Sequence, residues 1–153
     1  MKIQPDSFSC GVYAVMNAAR ALGVFLKRKD IIKYSKTTKQ GTTEKGVIRA
    51  LEKLKFCVDT FCLPYISAFP NLQNLLRRNN PVIIYLPREE HWCTVIGMIG
   101  DNFILFDSDM DLENKKEHGT QIVKENELVE RWANYKNFYG IRVSLRKRRN
   151  NNR

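Results

Sequence analysis

The chain has 153 residues, of which 43% are hydrophobic and 27% are charged, a size and balance typical of one globular domain with a buried core. This composition excludes a wholly disordered or collagen-like chain. No apolar run approaches the roughly 20 residues needed to cross a bilayer, and no basic stretch with an apolar signal core follows Met1. We therefore expect no membrane span and a cytoplasmic location.

The net charge of +10 is concentrated in two segments. Residues 27–55 carry ten basic and three acidic side chains, and residues 142–153 carry six basic and no acidic ones. Neither segment has the interleaved aromatic residues typical of nucleic-acid readers. We therefore predict that the basic residues of segment 27–55 form a solvated helix face. The folded domain is expected over residues 1–145 and a basic, disordered tail over residues 146–153. The partner expected for this tail is a weakly bound polyanion.

Apolar periodicity and end signals predict five helices and five strands. The predicted helices span residues 10–22, 27–35, 42–55, 70–80 and 124–134. The predicted strands span residues 56–63, 82–86, 92–99, 103–107 and 138–145. We expect Ser7 or Ser9 to cap the first helix, and Thr42 or Thr43 to cap the third. Because the helices come mostly first and the strands mostly later, the order predicts an α+β fold with helices packed on an antiparallel sheet.

Cys10 begins the first predicted helix, where backbone N–H groups and the helix dipole favour a thiolate. Gly11 beside it would let a substrate carbonyl approach closely. The other three cysteines, at positions 57, 62 and 93, are expected to be packing residues, because they form no CxxC pair and match no common zinc spacing. We expect four free thiols, no metal site and no cofactor.

A nucleophilic thiolate also needs an imidazole to carry the proton and an acceptor to orient that imidazole. Of the two histidines, His91 heads a predicted strand and His118 lies in a charged loop, so His91 is the better base. If residues 100–102 form a three-residue hairpin loop, strand alternation places His91 and Asp107 on one face. Asp109 falls on the same face, so either aspartate could orient the imidazole.

These residues lie in strings that resemble a known family. QPDSFSCG followed by an alanine-rich helix, then GTTEKGVIRALEKL, PVIIYL, HWCTVIG and FILFDSD, are similar to papain-like cysteine peptidases, and in this order to the double-glycine, bacteriocin-processing peptidases and their stand-alone relatives. The resemblance implies that Cys10 is the nucleophile, His91 the base and Asp107 the orienting acid. It also implies that Gln4 supplies a side-chain donor to the oxyanion hole. No transporter portion lies within these 153 residues, so we expect no support from that side for a secreted-peptide substrate.

The same strings also resemble the active sites of SUMO and ubiquitin-like-protein proteases, although there the His-Trp precedes the Gln and Cys. Both families cut after a small-residue pair, usually Gly-Gly, which implies a peptide or protein substrate with such a site, a ubiquitin-like protein being one option. Trp92 matches the tryptophan that walls a narrow glycine tunnel in the second family. Because strand alternation points Trp92 away from the side of His91, a core position is the alternative.

Together, the residues and the resemblance predict a papain-like cysteine endopeptidase that cuts after a Gly-Gly type site through Cys10, His91 and Asp107, with Gln4 in the oxyanion hole. Two alternatives remain at this point. An acyltransferase would use the same triad and pass the acyl group to an amine instead of water. A catalytically silent binding module is the other alternative. Only three residues precede Gln4 in the sequence, so we expect its loop to be weakly anchored.

Overall fold

The structure, a computed structural model, describes residues 8–108 and 119–147. The helices are α1 (Cys10–Ala21), α2 (Arg28–Ser35), α3 (Glu44–Lys53), α4 (Tyr65–Arg77) and α5 (Glu125–Trp132). The strands are β1 (Phe56–Pro64), β2 (Val82–Leu86), β3 (His91–Ile99), β4 (Asn102–Phe106), β5 (Thr120–Val123) and β6 (Asn137–Leu145). A short 3₁₀ turn, Pro87–Glu89, joins β2 to β3. In these two ranges no helix has the length and apolar character that a membrane crossing requires.

The strands of the described residues form one antiparallel sheet in the order β1-β6-β2-β3-β4-β5. Helices α1 to α3 cover one face of the sheet, and α4 and α5 cover the other, so the fold has two apolar cores. Alternation along β2 divides its side chains between them, with Ile83 in the first core and Val82 and Ile84 in the second. The predicted α+β fold with helices on an antiparallel sheet is confirmed.

Local end signals explain where the first and third helices begin and end. Gly23 follows α1 at φ +80°, a left-handed conformation that suits glycine after a helix. The Thr43 hydroxyl accepts a hydrogen bond from the Gly46 amide at 3.0 Å, which confirms the threonine cap of α3. Ser9 occupies the cap position of α1, but its side chain makes no capping hydrogen bond there; Ser7 lies outside the described residues.

Helix α4 begins five residues earlier than the sequence predicts. Proline removes a helical hydrogen bond and usually starts a helix instead of lying inside one, which is why Pro70 was the expected start. In the structure Pro70 lies inside α4. Ala68 and Phe69 are buried in the second core together with the leucines of the following turns. The burial of these two side chains outweighs the cost of an internal proline.

The hairpin between β3 and β4 differs from the predicted register. Ile99 pairs with Asn102, so the loop has two residues and begins at Gly100, whose φ of +59° suits a tight hairpin turn. A bulge between Val95 and Gly97 then shifts the pairing by one more residue, and Val95 pairs with Leu105 instead of the predicted Asp107. The shorter loop and the bulge each shift the pairing by one residue, which makes two residues in all. Because side chains alternate with a period of two, His91 and Asp107 still lie on the same face, as predicted.

One strand was not predicted at all. Residues Thr120–Val123 form β5, which pairs with β4 at the edge of the sheet. Four residues are too few for alternation to stand out from a loop. This strand matters for the site, because it places Gln121 opposite Leu105 of β4, where its side chain accepts a hydrogen bond from Arg131.

Candidate active site

Cys10 is the first residue of α1, and its side chain is 6% exposed. A hydrogen bond fixes this helix against the strand that carries His91. The buried Thr94 hydroxyl donates to the Ala14 carbonyl at 2.9 Å, which ties β3 to α1 one turn beyond the cysteine. The thiol therefore lies at the end of the helix that faces the start of β3.

His91 and Asp107 form a buried pair at the ends of neighbouring strands. His91 Nε2 lies 2.6 Å from Asp107 Oδ1. The Asp107 side chain is fully buried and that of His91 is 7% exposed. Because Nε2 is taken by the carboxylate, Nδ1 is the ring nitrogen left for a second partner. The structure therefore brings together the histidine and the aspartate that the sequence singled out.

The surroundings of His91 favour its protonated form. Burial by itself lowers the pKa of the imidazole, but the hydrogen bonds to Asp107 and Cys10 and the negative charges of both residues outweigh it, raising the pKa from 6.5 to about 9. Cys10 therefore acts on the same imidazole as Asp107. The three side chains thus form one interacting group, and at neutral pH the imidazole in it carries a proton.

Gly11 has a structural reason to be glycine. A Cβ built on Gly11 would lie 2.6 Å from Cβ and 2.8 Å from Oγ1 of Thr42, closer than real side chains approach. Helix α1 therefore packs directly against the segment before α3. The predicted role of Gly11 in admitting a substrate carbonyl stays a prediction, since this contact alone accounts for the residue.

Trp92 is both a core residue and a pocket wall. Its side chain is 6% exposed, and its indole N–H donates to the Thr42 carbonyl at 3.0 Å. It belongs to the first core, and its ring lies 4.9 Å from that of Tyr85. The same ring lines a pocket of about 500 Å³. The two alternatives for Trp92 are therefore compatible with each other.

This pocket takes wall residues from both sides of the sheet, because Tyr85 and Trp92 pack with the first core and Trp132 with the second. It is lined by Thr42, Thr43, Glu44, Cys62, Tyr85, Pro87, Trp92, Trp132, Asn134 and Tyr139. Burial raises the pKa of Tyr85, and so do the negative charges of Glu90 and Cys10. Tyr85 is thus close enough to Cys10 to sense its charge, which connects the pocket to the thiol. The pocket is the candidate substrate cleft.

The four cysteines are free thiols, as predicted, but they are not equally buried. Cys93 lies in the second core, and burial raises the pKa of its thiol well above the usual value. Cys62 is exposed and lines the pocket, so the expectation that it packs inside is wrong: β1 is an edge strand, and this residue faces solvent. Within the described ranges no three His, Cys, Asp or Glu side chains cluster as a metal would require.

Three residues named from the sequence, Gln4, Asp109 and His118, lie outside the described residues. Other residues of the site were missed by sequence reasoning. Thr42 packs against Gly11 and its carbonyl accepts the Trp92 N–H, while Arg131 bonds Glu89 next to the His91–Asp107 pair. The sequence indicates Thr42 only as a helix cap, and no local pattern distinguishes Arg131.

A thiol at the start of a helix, facing a buried histidine and aspartate on an antiparallel sheet, is the arrangement of a papain-like cysteine peptidase. Comparison with known proteins agrees. The model of the Peptidase C39 family matches residues 1–139. The chain therefore belongs to the C39 peptidase family, whose members are cysteine peptidases. No curated protein matches the sequence significantly.

Solved structures share this fold. The peptidase domain of Streptococcus ComA, a bifunctional ABC transporter involved in quorum sensing, has a TM-score of 0.74 at 22% identity over 95% of this chain and 97% of that one. A double-glycine-motif protease of an AMS/PCAT transporter, solved with its leader peptide, has a TM-score of 0.66 at 12% identity over 94% and 89%. A C39-like peptidase from Bacillus anthracis gives 0.65 at 11% over 97% and 96%. At these identities the likeness concerns the fold.

Proposed function

We propose that this C39 peptidase cuts a peptide bond after a Gly-Gly pair, with Cys10 as nucleophile, His91 as acid and base, and Asp107 as the residue that orients the imidazole. One observation carries the proposal: His91 Nε2 lies 2.6 Å from the buried Asp107 Oδ1, while Cys10 at the start of α1 acts on the pKa of the same imidazole. A nucleophile, a base and an orienting group that act on one another are what covalent catalysis requires.

The raised pKa of His91, about 9, suits the first step of that chemistry. The imidazole holds the thiol proton, and the thiolate attacks the substrate carbonyl. The tetrahedral oxyanion takes a hydrogen bond from the Cys10 backbone N–H, and we assign the second donor to the Gln4 side chain. His91 then gives its proton to the leaving amine, and in the second step takes one from the water that hydrolyses the thioester.

The pocket lined by Tyr85 and Trp92 supports a substrate with small residues before the cut. These two aromatic rings pack against each other, with their centroids 4.9 Å apart, and the Trp92 N–H is held by the Thr42 carbonyl. A wall fixed in this way discriminates by steric overlap with a larger side chain. One structural neighbour is a double-glycine-motif protease solved with a leader peptide, which also supports a double-glycine substrate here.

The partner that we propose is a peptide or protein that presents an extended Gly-Gly segment, and a ubiquitin-like protein meets this description as well as a leader peptide does. We also propose a cytoplasmic location, supported by the four free thiols, since disulfides are rare in reducing compartments.

A covalent probe tests the nucleophile without knowledge of the natural substrate. A peptide vinyl or aldehyde ending in Gly-Gly is incubated with the protein, and the modified cysteine is mapped by mass spectrometry. The exposed Cys62 lines the same pocket and is the internal control, because labelling by exposure alone would modify Cys62 and not the mostly buried Cys10. We expect modification of Cys10, abolished by His91→Ala. Modification of Cys62 instead would contradict the proposal.

Adding a competing amine to a cleavage reaction distinguishes hydrolysis from acyl transfer. A peptidase releases the free acid as its main product, whereas an acyltransferase releases the amide. We expect the acid.

A further inference from the structure

A partly buried arginine lies next to the His91–Asp107 pair. Arg131 belongs to α5, on the opposite side of the sheet from Cys10, and its side chain is 18% exposed. Its Nε and Nη2 donate to the two carboxylate oxygens of Glu89, both at 3.0 Å. Its Nη1 donates to the Gln121 Oε1 at 2.9 Å. A guanidinium bonded at three nitrogens by two partners is held in one orientation.

Glu89 connects this arginine to His91 along the chain. It lies in the 3₁₀ turn between β2 and β3, two residues before His91. The residue between them, Glu90, has φ +47°, a conformation that costs energy for a residue other than glycine. The surrounding contacts must therefore hold this turn in place. The bidentate pair with Arg131 holds this turn through Glu89, close to the point at which His91 enters its strand.

The Arg131 guanidinium also lies close to Asp107, the partner of His91. Arg131 Nη2 lies 3.8 Å from Asp107 Oδ2, the oxygen that His91 does not use. Asp107 is fully buried and Arg131 is mostly buried, so the positive charge acts on the carboxylate with less screening than between exposed groups. Glu89 in turn offsets the arginine, which leaves the set of Arg131, Glu89 and Asp107 with one net negative charge against the imidazolium.

We propose that Arg131 is a positioning residue of the active site, which holds the turn that carries His91 through Glu89 and sets the charge that Asp107 presents to the imidazole. The proposal rests on the catalytic roles proposed above for His91 and Asp107. Arg131 touches neither the thiol nor the pocket: it acts through these two residues.

The two halves of the Arg131–Glu89 pair give the proposal its test. If the pair were only a structural clamp, breaking it from either side would have the same effect on His91. If its charges act on the catalytic pair, the two sides act in opposite directions. Removing the positive charge strengthens the negative field at the imidazole and raises the pKa of His91. Removing the negative charge leaves the arginine uncompensated and lowers it.

The measurement is the titration of His91 by NMR, from the chemical shifts of its ring carbon protons, in the full chain under reducing conditions. The chain has two histidines, and His118→Gln assigns the signals. Arg131→Met and Glu89→Gln are the two variants, and the second is nearly isosteric and keeps an acceptor for Arg131. The titratable groups of neighbouring elements that act on His91 and Arg131 are Cys10, Cys93 and Asp107; all are left unchanged.

Arg142→Met is the matched control. Arg142 on β6 pairs with Asp59 on the edge strand β1, so the same substitution there breaks a pair at the surface, away from the His91–Asp107 pair. In Arg142→Met, the pH midpoint of the His91 titration should equal that of the wild-type chain. Arg131→Lys, which keeps the charge but loses the bidentate geometry, should return the midpoint to the wild-type value.

We expect the His91 midpoint to move to higher pH in Arg131→Met and to lower pH in Glu89→Gln. We also expect kcat/KM to fall by about tenfold in both, below the roughly hundredfold that a 1 Å misplacement can cause. Shifts in the same direction, or no shift in folded Glu89→Gln, would overturn the proposal. The NMR titration does not depend on turnover, so an inactive wild-type chain would refute the proposed function and leave this measurement decisive for Arg131.

Discussion

The His91–Asp107 pair should make the free energy of unfolding depend on pH in a way that a single substitution removes. The pKa of His91 is raised from 6.5 to about 9 in the folded chain. A group whose pKa is higher in the folded state stabilises that state below its unfolded pKa, and this contribution is lost as the pH rises through the folded pKa. The window for this pair is therefore pH 6.5 to 9.

The size of the effect follows from the shift. Each pKa unit corresponds to about 1.4 kcal/mol, so a raised value of about 9 corresponds to at most about 3 kcal/mol of stability at pH 6. Asp107→Asn removes the carboxylate that accounts for the largest upward contribution. We expect the variant to be less stable than the wild type by up to about this amount at pH 6, with the difference shrinking towards pH 9 and above.

Urea unfolding at pH 6 and at pH 9, in reductant, measures this directly. Asp59→Asn is the matched control, because Asp59 lies on the edge strand β1, is paired with Arg142 and has a side chain that is 70% exposed, and exposed pairs contribute little. The control should follow the wild type at both pH values. If Asp107→Asn loses as much stability between pH 6 and pH 9 as the wild type does, the pair does not hold the imidazolium, and the reasoning is refuted.

Three further changes test other parts of the structure. Gly11→Ala should lower the free energy of unfolding by about 1–3 kcal/mol, because its Cβ would lie 2.6 Å from that of Thr42; an unchanged melting temperature would contradict this contact. Trp92→Ala should relax the preference for Gly-Gly over Ala-Gly peptides and lower the rate. Because truncating a buried aromatic costs about 3–5 kcal/mol, Trp92→Phe separates the two effects by keeping a ring, and equal cleavage of both peptides by the wild type would return Trp92 to the core alone. Truncation after Leu145 should leave melting temperature and peptide turnover unchanged and remove any polyanion binding, which in the full chain should fall steeply with salt; salt-insensitive binding by the truncated chain would contradict a role for the tail.

Much of the architecture was predictable because its causes are local. The third helix is readable from its apolar stripe, and Thr43 caps it as expected. The pairing of His91 with Asp107 was also predicted, although by a register that is wrong. It survived because strand alternation depends only on parity, and the two-residue loop and the bulge before Gly97 cancel in parity.

The rest was not predictable, because its causes are contacts between residues distant in the chain. Helix α4 begins before Pro70 because Phe69 is buried in the second core, and no local sequence pattern indicates this burial. Arg131 lies 42 residues from Glu89 in the chain, and in the sequence it is one basic residue in an amphipathic helix. The packing of Gly11 on Thr42 likewise appears only when α1 lies against the segment before α3.

The central claim is that the thiol of Cys10 cuts peptides after Gly-Gly, and one comparison tests it most directly. A peptide with a single Gly-Gly pair is incubated with the wild-type chain and with Cys10→Ala, and the products are identified by mass spectrometry, while circular dichroism confirms that both chains are folded. Alanine is well tolerated in a helix, so the substitution removes the nucleophile alone. The account predicts cleavage after the second glycine by the wild type and none by the variant. Cleavage by folded Cys10→Ala at the wild-type rate would contradict it.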